Sequence, residues 1–286
     1  MPDLPATLWI VYAGVLGLLV GSFLNVVILR LPERLAWSWR RDAHEMLEDG
    51  FAGEEARPAG LVREPSHCPH CQHKLAPWDN IPLLSWLLLR GRCRYCKAPI
   101  SFQYPLVELV TALASAAIVW RFGATWTGAS GLLLTWFLVA LSGIDFRTQL
   151  LPDQLTYPLL WLGLLGSVLP LRVDPVHAIV GAAIGYLALW SIYWLFKLTT
   201  GKEGMGYGDF KLLAALGAWM GPLALLPIAL ISSLVGAILG GLLIALNRHK
   251  REVPIPFGPF LAVAGWIWFV CGDTLWNAYA HFVGLH

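Results

Sequence analysis

The chain is built from long apolar runs separated by short polar junctions, and several runs reach the roughly 20 residues a helix needs to cross a bilayer. That feature leaves few architectures open. In lipid every backbone N–H and C=O must be bonded within the protein, and apolar runs of this length satisfy them as helices. Composition agrees: 13% of the 286 residues are charged, where a soluble domain carries about 25%. The reading is an all-α polytopic membrane protein with about eight transmembrane helices. These are predicted at about 8–31, 105–122, 128–148, 153–171, 176–198, 208–221, 222–246 and 257–284. The sixth is short and broken by glycine, which suggests a partly re-entrant segment. Met1-Pro2-Asp3-Leu4 carries no Lys or Arg, so the first run does not read as a cleaved signal peptide. A net charge of +2 gives no reason to expect a nucleic-acid partner.

The basic residues set the orientation. Arg34, Arg40, Arg41, Arg57, Arg63, Lys74, Arg90, Arg92, Arg94 and Lys97 lie between the first two runs. Arg147, Lys197, Lys202, Arg248, Lys250 and Arg251 follow the third, fifth and seventh, and only Arg121 and Arg172 fall on the other side. The positive-inside rule therefore places the large loop in the cytoplasm and both termini outside. The chain divides into a first helix (1–31), a cytoplasmic domain (32–104) and a seven-helix membrane domain (105–286). Within the loop, residues 37–64 read as a polar, partly helical insert. His44 and Glu45 lack the second histidine of a zinc-protease HExxH helix.

Cys68-Pro-His-Cys71 and Cys93-Arg-Tyr-Cys96 are separated by 21 residues. Two such knuckles aim four thiolates at one point and close a tetrahedral shell with no open position, which points to structural Zn2+ held by Cys68, Cys71, Cys93 and Cys96. A reducing cytoplasm makes disulfides the weaker reading. His67, His70 and His73 are expected at the surface, and Cys271 is expected to be a small buried residue of the last helix.

Acids are few outside the loop, and most have plain roles. Asp153 is expected to cap the fourth helix, Asp174 sits in a turn beside Pro175, and Glu108 is expected to pair with a basic group. Asp145 and Asp209 are different. Asp145 follows an almost unbroken apolar run, and Asp209 lies in "GMGYGDFK" at the start of the sixth helix. The Lys and Arg count, which ignores both acids, puts them on the cytoplasmic side. A carboxyl pair sharing one proton can activate water and protonate a peptide carbonyl, which is aspartic-protease chemistry. The glycines before Asp209 allow a bend and close approach of a substrate strand. Intramembrane acids also serve in transport, so spacing alone leaves that alternative open.

The ordered set "GSFLNVVILRLP", "CPHC", "NIPLLSWLLLRGRCRYC", "QYPLVELVTA", "SGIDFRTQLLPD", "GMGYGDFKLLAALGAWMG" and "PIPFGPFLAVAGW" resembles the type IV prepilin peptidase family. These are GxGD-type intramembrane aspartyl proteases of type IV pili and type II secretion that also act as N-methyltransferases. The resemblance runs over nearly the whole chain. It implies that Asp145 and Asp209 are the catalytic pair and that the four cysteines belong to a zinc-binding, methylation-associated domain. It implies a bacterial inner-membrane enzyme acting on prepilins and pseudopilins. Such an enzyme cuts a short leader after a glycine at the cytoplasmic face, then methylates the new N-terminus with S-adenosylmethionine. Gln103 stands where the family usually has arginine, which bears on methylation, and no GxGxxG marks a methyl-donor site in the loop. Two rival readings are a transporter using intramembrane carboxylates, and a serine intramembrane protease built on Gly128-Ala129-Ser130-Gly131 with His177.

Overall fold

The computed structural model describes residues 5–47, 56–62, 64–169, 172–246 and 255–283. Met1–Leu4, the middle of the polar insert, and Arg63, Arg248, Lys250, Arg251 and Glu252 lie outside the described residues. Among those described the protein is helical, and the only extended pairings are two isolated bridges. The chain forms two compact units, Met1–Gly123 and Ala124–His286.

The first unit pairs α1 (Ala6–Leu47) with α3 (Gln103–Phe122), and the cysteine region with the short α2 (Leu84–Leu88) lies between them in sequence. Small residues let the two long backbones touch. A Cβ on Gly17 would stand 2.8 Å from the Thr111 carbonyl oxygen, and one on Gly21 would stand 2.8 Å from the Glu108 Cα. This is the small-residue contact by which membrane helices associate, since lipid gives apolar side chains little reason to pair. The first helix was expected to end near residue 31, yet α1 continues through Pro32 to Leu47. Tertiary contacts support the extension. Arg30 donates to the carbonyls of Gly60, Glu64 and Pro65, Arg34 donates to that of Pro58, and Leu31, Pro32 and Leu35 are buried.

The second unit holds α4 (Trp126–Thr148), α5 (Asp153–Gly166), α6 (Pro175–Thr200), α7 (Tyr207–Met220), α8 (Leu225–Ala245) and α9 (Gly258–Val283). Thr125 caps α4 by accepting from the Gly128 N–H, Asp174 caps α6, and Gly201 and Gly221 end α6 and α7 at positive φ. Among the described residues six helices are long and apolar enough to cross a membrane. The other two expected spans, α5 and α7, have 14 residues each. That is about 21 Å of helix against a hydrocarbon core of about 30 Å. In α7 the shortness has a reason: Asp209, Phe210 and every residue from Leu212 to Trp219 are buried. It is sheathed by protein rather than lipid, with α6 pressed directly on it. A Cβ on Gly217 would lie 2.2 Å from the Gly181 carbonyl oxygen.

Candidate active site and metal centre

Asp145 lies in the last turn of α4, which ends where Gln149 turns left-handed and its N–H bonds back to the Asp145 carbonyl. A carboxylate there meets the negative end of its own helix, an unfavourable place. It is rescued from elsewhere in the chain: the N–H of Gly258, the first residue of α9, donates to Asp145 Oδ2 at 3.0 Å. Asp209 occupies the first turn of α7, and the backbone N–H of Gly206 bonds its carboxylate. Each carboxylate is thus held at the positive end of a helix, α9 for Asp145 and α7 for Asp209. The side chains are 4% and 7% exposed and lie within Coulombic range of one another. The structure brings the two sequence-predicted acids together.

Leu151 packs against Gly208, beside Asp209, and against Gly258, whose N–H bonds Asp145. A Cβ on Gly208 would strike its Cβ at 2.6 Å, and a Cβ on Gly258 would meet both of its methyls at 3.1 Å and Asp145 Oδ2 at 2.7 Å. Gly258 is the residue that sequence reasoning missed. The available signal was a Gly-Pro step opening a helix, but only the fold shows that its N–H faces an acid 113 positions away. Asp153 does not cap α5 as expected. Pro152 takes the cap position and Asp153 the first helical one, where its carboxylate pairs with Lys211, which lies over the Tyr157 ring. A cavity of about 330 Å³ lined by Trp126, Ser130, Leu162, Arg172 and Trp219 lies at the opposite ends of α4 and α7 from the aspartates.

In the first unit the two knuckles fold alike. The N–H of Gln72 bonds to the Cys68 carbonyl and that of Lys97 to the Cys93 carbonyl, with Gln72 and Lys97 at φ 57° and 62°. Bridges pair His67 with Lys74 and Arg92 with Pro99. The His73 and Tyr95 rings stack across the knuckles at 3.6 Å. Cys68, Cys71, Cys93 and Cys96 bring all four sulfurs within 4.8 Å of one another. Cys68 Sγ and Cys96 Sγ are 3.8 Å apart, which matches the roughly 3.8 Å edge of a tetrahedron with metal–sulfur bonds near 2.3 Å. The four thiols are free, and the set fits a metal ion. Burial would push the Cys68 thiol up, but the N–H groups of Cys71 and His70 and the neighbouring thiols bring it down to about 6, toward the thiolate that a metal binds. Nearby, Asp79 accepts from Arg94 at 2.7 Å and from the Tyr95 hydroxyl.

Ser130 donates its hydroxyl to the Thr127 carbonyl within α4, while His177 pairs with Asp174 at the α6 cap. Cys271 is exposed on α9 rather than buried. Gln103 is the first residue of α3. Glu108 is buried without a basic partner among the described residues: it accepts from the Leu83 N–H at 2.8 Å and from the Ser22 hydroxyl.

Comparison with known proteins identifies the chain's relatives. Residues 15–122 match the Bacterial Peptidase A24 N-terminal domain and residues 132–241 match the Type IV leader peptidase family. The chain is 58% identical to a prepilin leader peptidase/N-methyltransferase of Xanthomonas campestris pv. campestris, over 96% of this chain and 95% of the relative. It is 53% identical to that of Stutzerimonas stutzeri, over 97% and 96%, and 54% identical to that of Pseudomonas aeruginosa, over 94% and 92%. No solved structure matches. With an A24 N-terminal domain followed by a leader peptidase domain, and likeness over nearly its full length, the chain belongs to the type IV leader peptidase family.

Proposed function

We propose that this protein cleaves the leader of type IV prepilins and related pseudopilins, then N-methylates the new N-terminus. The observation that carries the reading is the pair of buried carboxyls, Asp145 and Asp209, each held by the backbone N–H of a helix start. The ionised member takes a proton from water as the water oxygen attacks the scissile carbonyl. The protonated member gives its proton to the carbonyl oxygen, forming a tetrahedral diol. Collapse of the diol breaks the C–N bond, with one carboxyl protonating the departing amine and the other recovering the hydroxyl proton, so the pair ends with the single proton it began with. The helix-end N–H groups supply fixed dipoles that hold the carboxylates without reorganisation during the reaction.

By the distribution of Lys and Arg, the pair and the cysteine domain face the cytoplasm and both termini lie in the periplasm, in a bacterial inner membrane. The loop between α1 and α3 is, in this reading, the zinc-binding domain, and the helices from α4 onward carry the peptidase pair. In this reading Cys68, Cys71, Cys93 and Cys96 hold Zn2+, closing the loop as a structural site. S-adenosylmethionine, when bound, supplies the methyl group that the new terminal amine takes up. The transporter and serine-protease readings are not favoured, since the relatives are leader peptidases, Asp145 and Asp209 lie within Coulombic range of one another, and Ser130 is bonded to its own helix. The test is mass spectrometry of a model prepilin incubated with purified protein, with and without S-adenosylmethionine. The expected products are the leader cut after glycine in both samples and a single added methyl only with the donor. An uncut prepilin would refute the peptidase reading, and a cut but unmethylated product the second activity.

A further inference from the structure

Between α1 and α3 lies a second buried polar group that peptide cleavage does not use. Asn25 is 2% exposed, and its amide nitrogen donates to the carbonyls of Gly21 and Tyr104. Those two carbonyls fix the amide orientation, because a flipped amide would set oxygen against oxygen. The oxygen, Asn25 Oδ1, is left buried with no donor. One turn further along α3, Glu108 is 7% exposed. It receives two neutral donors, Leu83 N–H and Ser22 hydroxyl, and no cation among the described residues. Ser22 and Asn25 lie on the turn of α1 beside Gly21, whose missing Cβ lets α1 touch the Glu108 backbone. Asn25 bonds the carbonyl of Tyr104, which stands one turn of α3 before Glu108.

The α1–α3 pair thus buries an amide oxygen with no donor and an acid with no cation among the described residues. An acid so placed is expensive to ionise unless a cation completes it. Leu83 adds a further sign. It holds φ 58° and ψ −47°, a region a leucine seldom enters, and in that conformation its N–H is aimed at Glu108.

We propose that Glu108 and Asn25 Oδ1 form a binding site for a primary ammonium group that serves methyl transfer, an inference that rests on the function proposed above. Two ammonium groups enter that reaction: the amino group of the methionine half of S-adenosylmethionine, and the α-amino end of the cleaved pilin. Each brings N–H donors for both oxygens and a positive charge for the acid. The orphaned amide oxygen and the uncompensated acid are the features that such a group fits.

The test is calorimetric titration of the full-length protein in lipid nanodiscs, in two arms. One arm uses S-adenosylhomocysteine. The other uses a peptide with the mature pilin N-terminus, either free or acetylated at its amine. Glu108→Gln retains an oxygen to accept from Leu83 but replaces the other oxygen, and the charge, with an amide NH2, and Asn25→Leu removes Oδ1. Each variant is expected to weaken binding about tenfold or more in one arm, the scale of a hydrogen bond to a charged group. The other arm is expected to stay near wild type. The affected arm identifies the ammonium, and in the peptide arm acetylation should erase the dependence on Glu108. The proposal is overturned if Glu108→Gln binds both probes as the wild type does, loses both equally, or melts early without ligand. Any of these would make the acid an anchor for the Leu83 turn. Wild-type methylation, read by mass spectrometry on the same preparation, tests the function separately: its absence sinks methyl transfer, while its presence with unaltered Glu108→Gln binding sinks only the ammonium site.

Discussion

Replacing Gly258 with alanine should disable the aspartate pair without unfolding the protein. The added Cβ would stand 2.7 Å from Asp145 Oδ2 and 3.1 Å from both Leu151 methyls. An ordinary carbon–oxygen contact is about 3.3 Å or more, so the neighbours must yield by about half an ångström. Leu151 is 8% exposed and already pressed against Gly208, which leaves the Asp145 carboxylate as the group that moves. Moving it breaks or bends the 3.0 Å bond from the Gly258 N–H. A hydrogen bond to a charged group contributes about 1.5–3 kcal/mol, or roughly tenfold to a hundredfold in rate. Misplacing a catalytic group by about 1 Å has a similar effect. The expected result is a fall of about ten- to a hundredfold in kcat for leader cleavage, measured as initial rates in proteoliposomes. Gly241→Ala in α8 is the matched control, since nothing lies within 4 Å of its added Cβ, and it should cleave at the wild-type rate. A folded Gly258→Ala protein that also cleaves at the wild-type rate would show that the α9 N–H does not position Asp145.

Removing metal with a chelator should open residues 64–103 to protease while the second unit stays protected, because the four sulfurs all belong to the first unit. Equal digestion of both units, or of neither, would contradict that division. Asp79 gives a pH signature. Burial raises its carboxyl, but the bonds from Arg94, the Ala76 N–H and Tyr95 outweigh this and hold it below the usual carboxylate value. Its stabilising effect is therefore full above about pH 4 and is lost as pH falls through the lower folded value. Asp79→Asn should speed amide exchange across residues 76–96 at pH 7, by a factor that shrinks as the pH approaches about 3. A factor unchanged over that range would show that the charge on Asp79 is irrelevant.

Much of this was legible from residues alone, for physical reasons that differ by element. The long helices follow from apolar runs that lipid permits only as helix. The count of Lys and Arg assigned Asp145 and Asp209 to one side, which allowed them to meet, and in the structure they lie within Coulombic range. The cysteine spacing announced a cluster, since ligand geometry is local to each knuckle. Long-range contacts were not legible. Pro32 reads as a helix end, and only the carbonyls of residues 58–65 bonded to Arg30 and Arg34 explain why α1 runs on. Gln72 and Lys97 are not residue types that announce positive φ, yet both adopt it. The Gly258 N–H on Asp145 and the Leu83 N–H on Glu108 join segments remote in sequence. No periodicity or spacing encodes such bonds.

The central claim is that Asp145 and Asp209 act as one catalytic unit, and a double-mutant cycle on leader cleavage tests it most directly. Groups that share a proton fail together, so Asp145→Asn and Asp209→Asn should each lower the rate by about a thousandfold or more. The double variant should be scarcely worse than either single one. The account would be contradicted by substantial cleavage in either folded single variant, or by losses that multiply in the double.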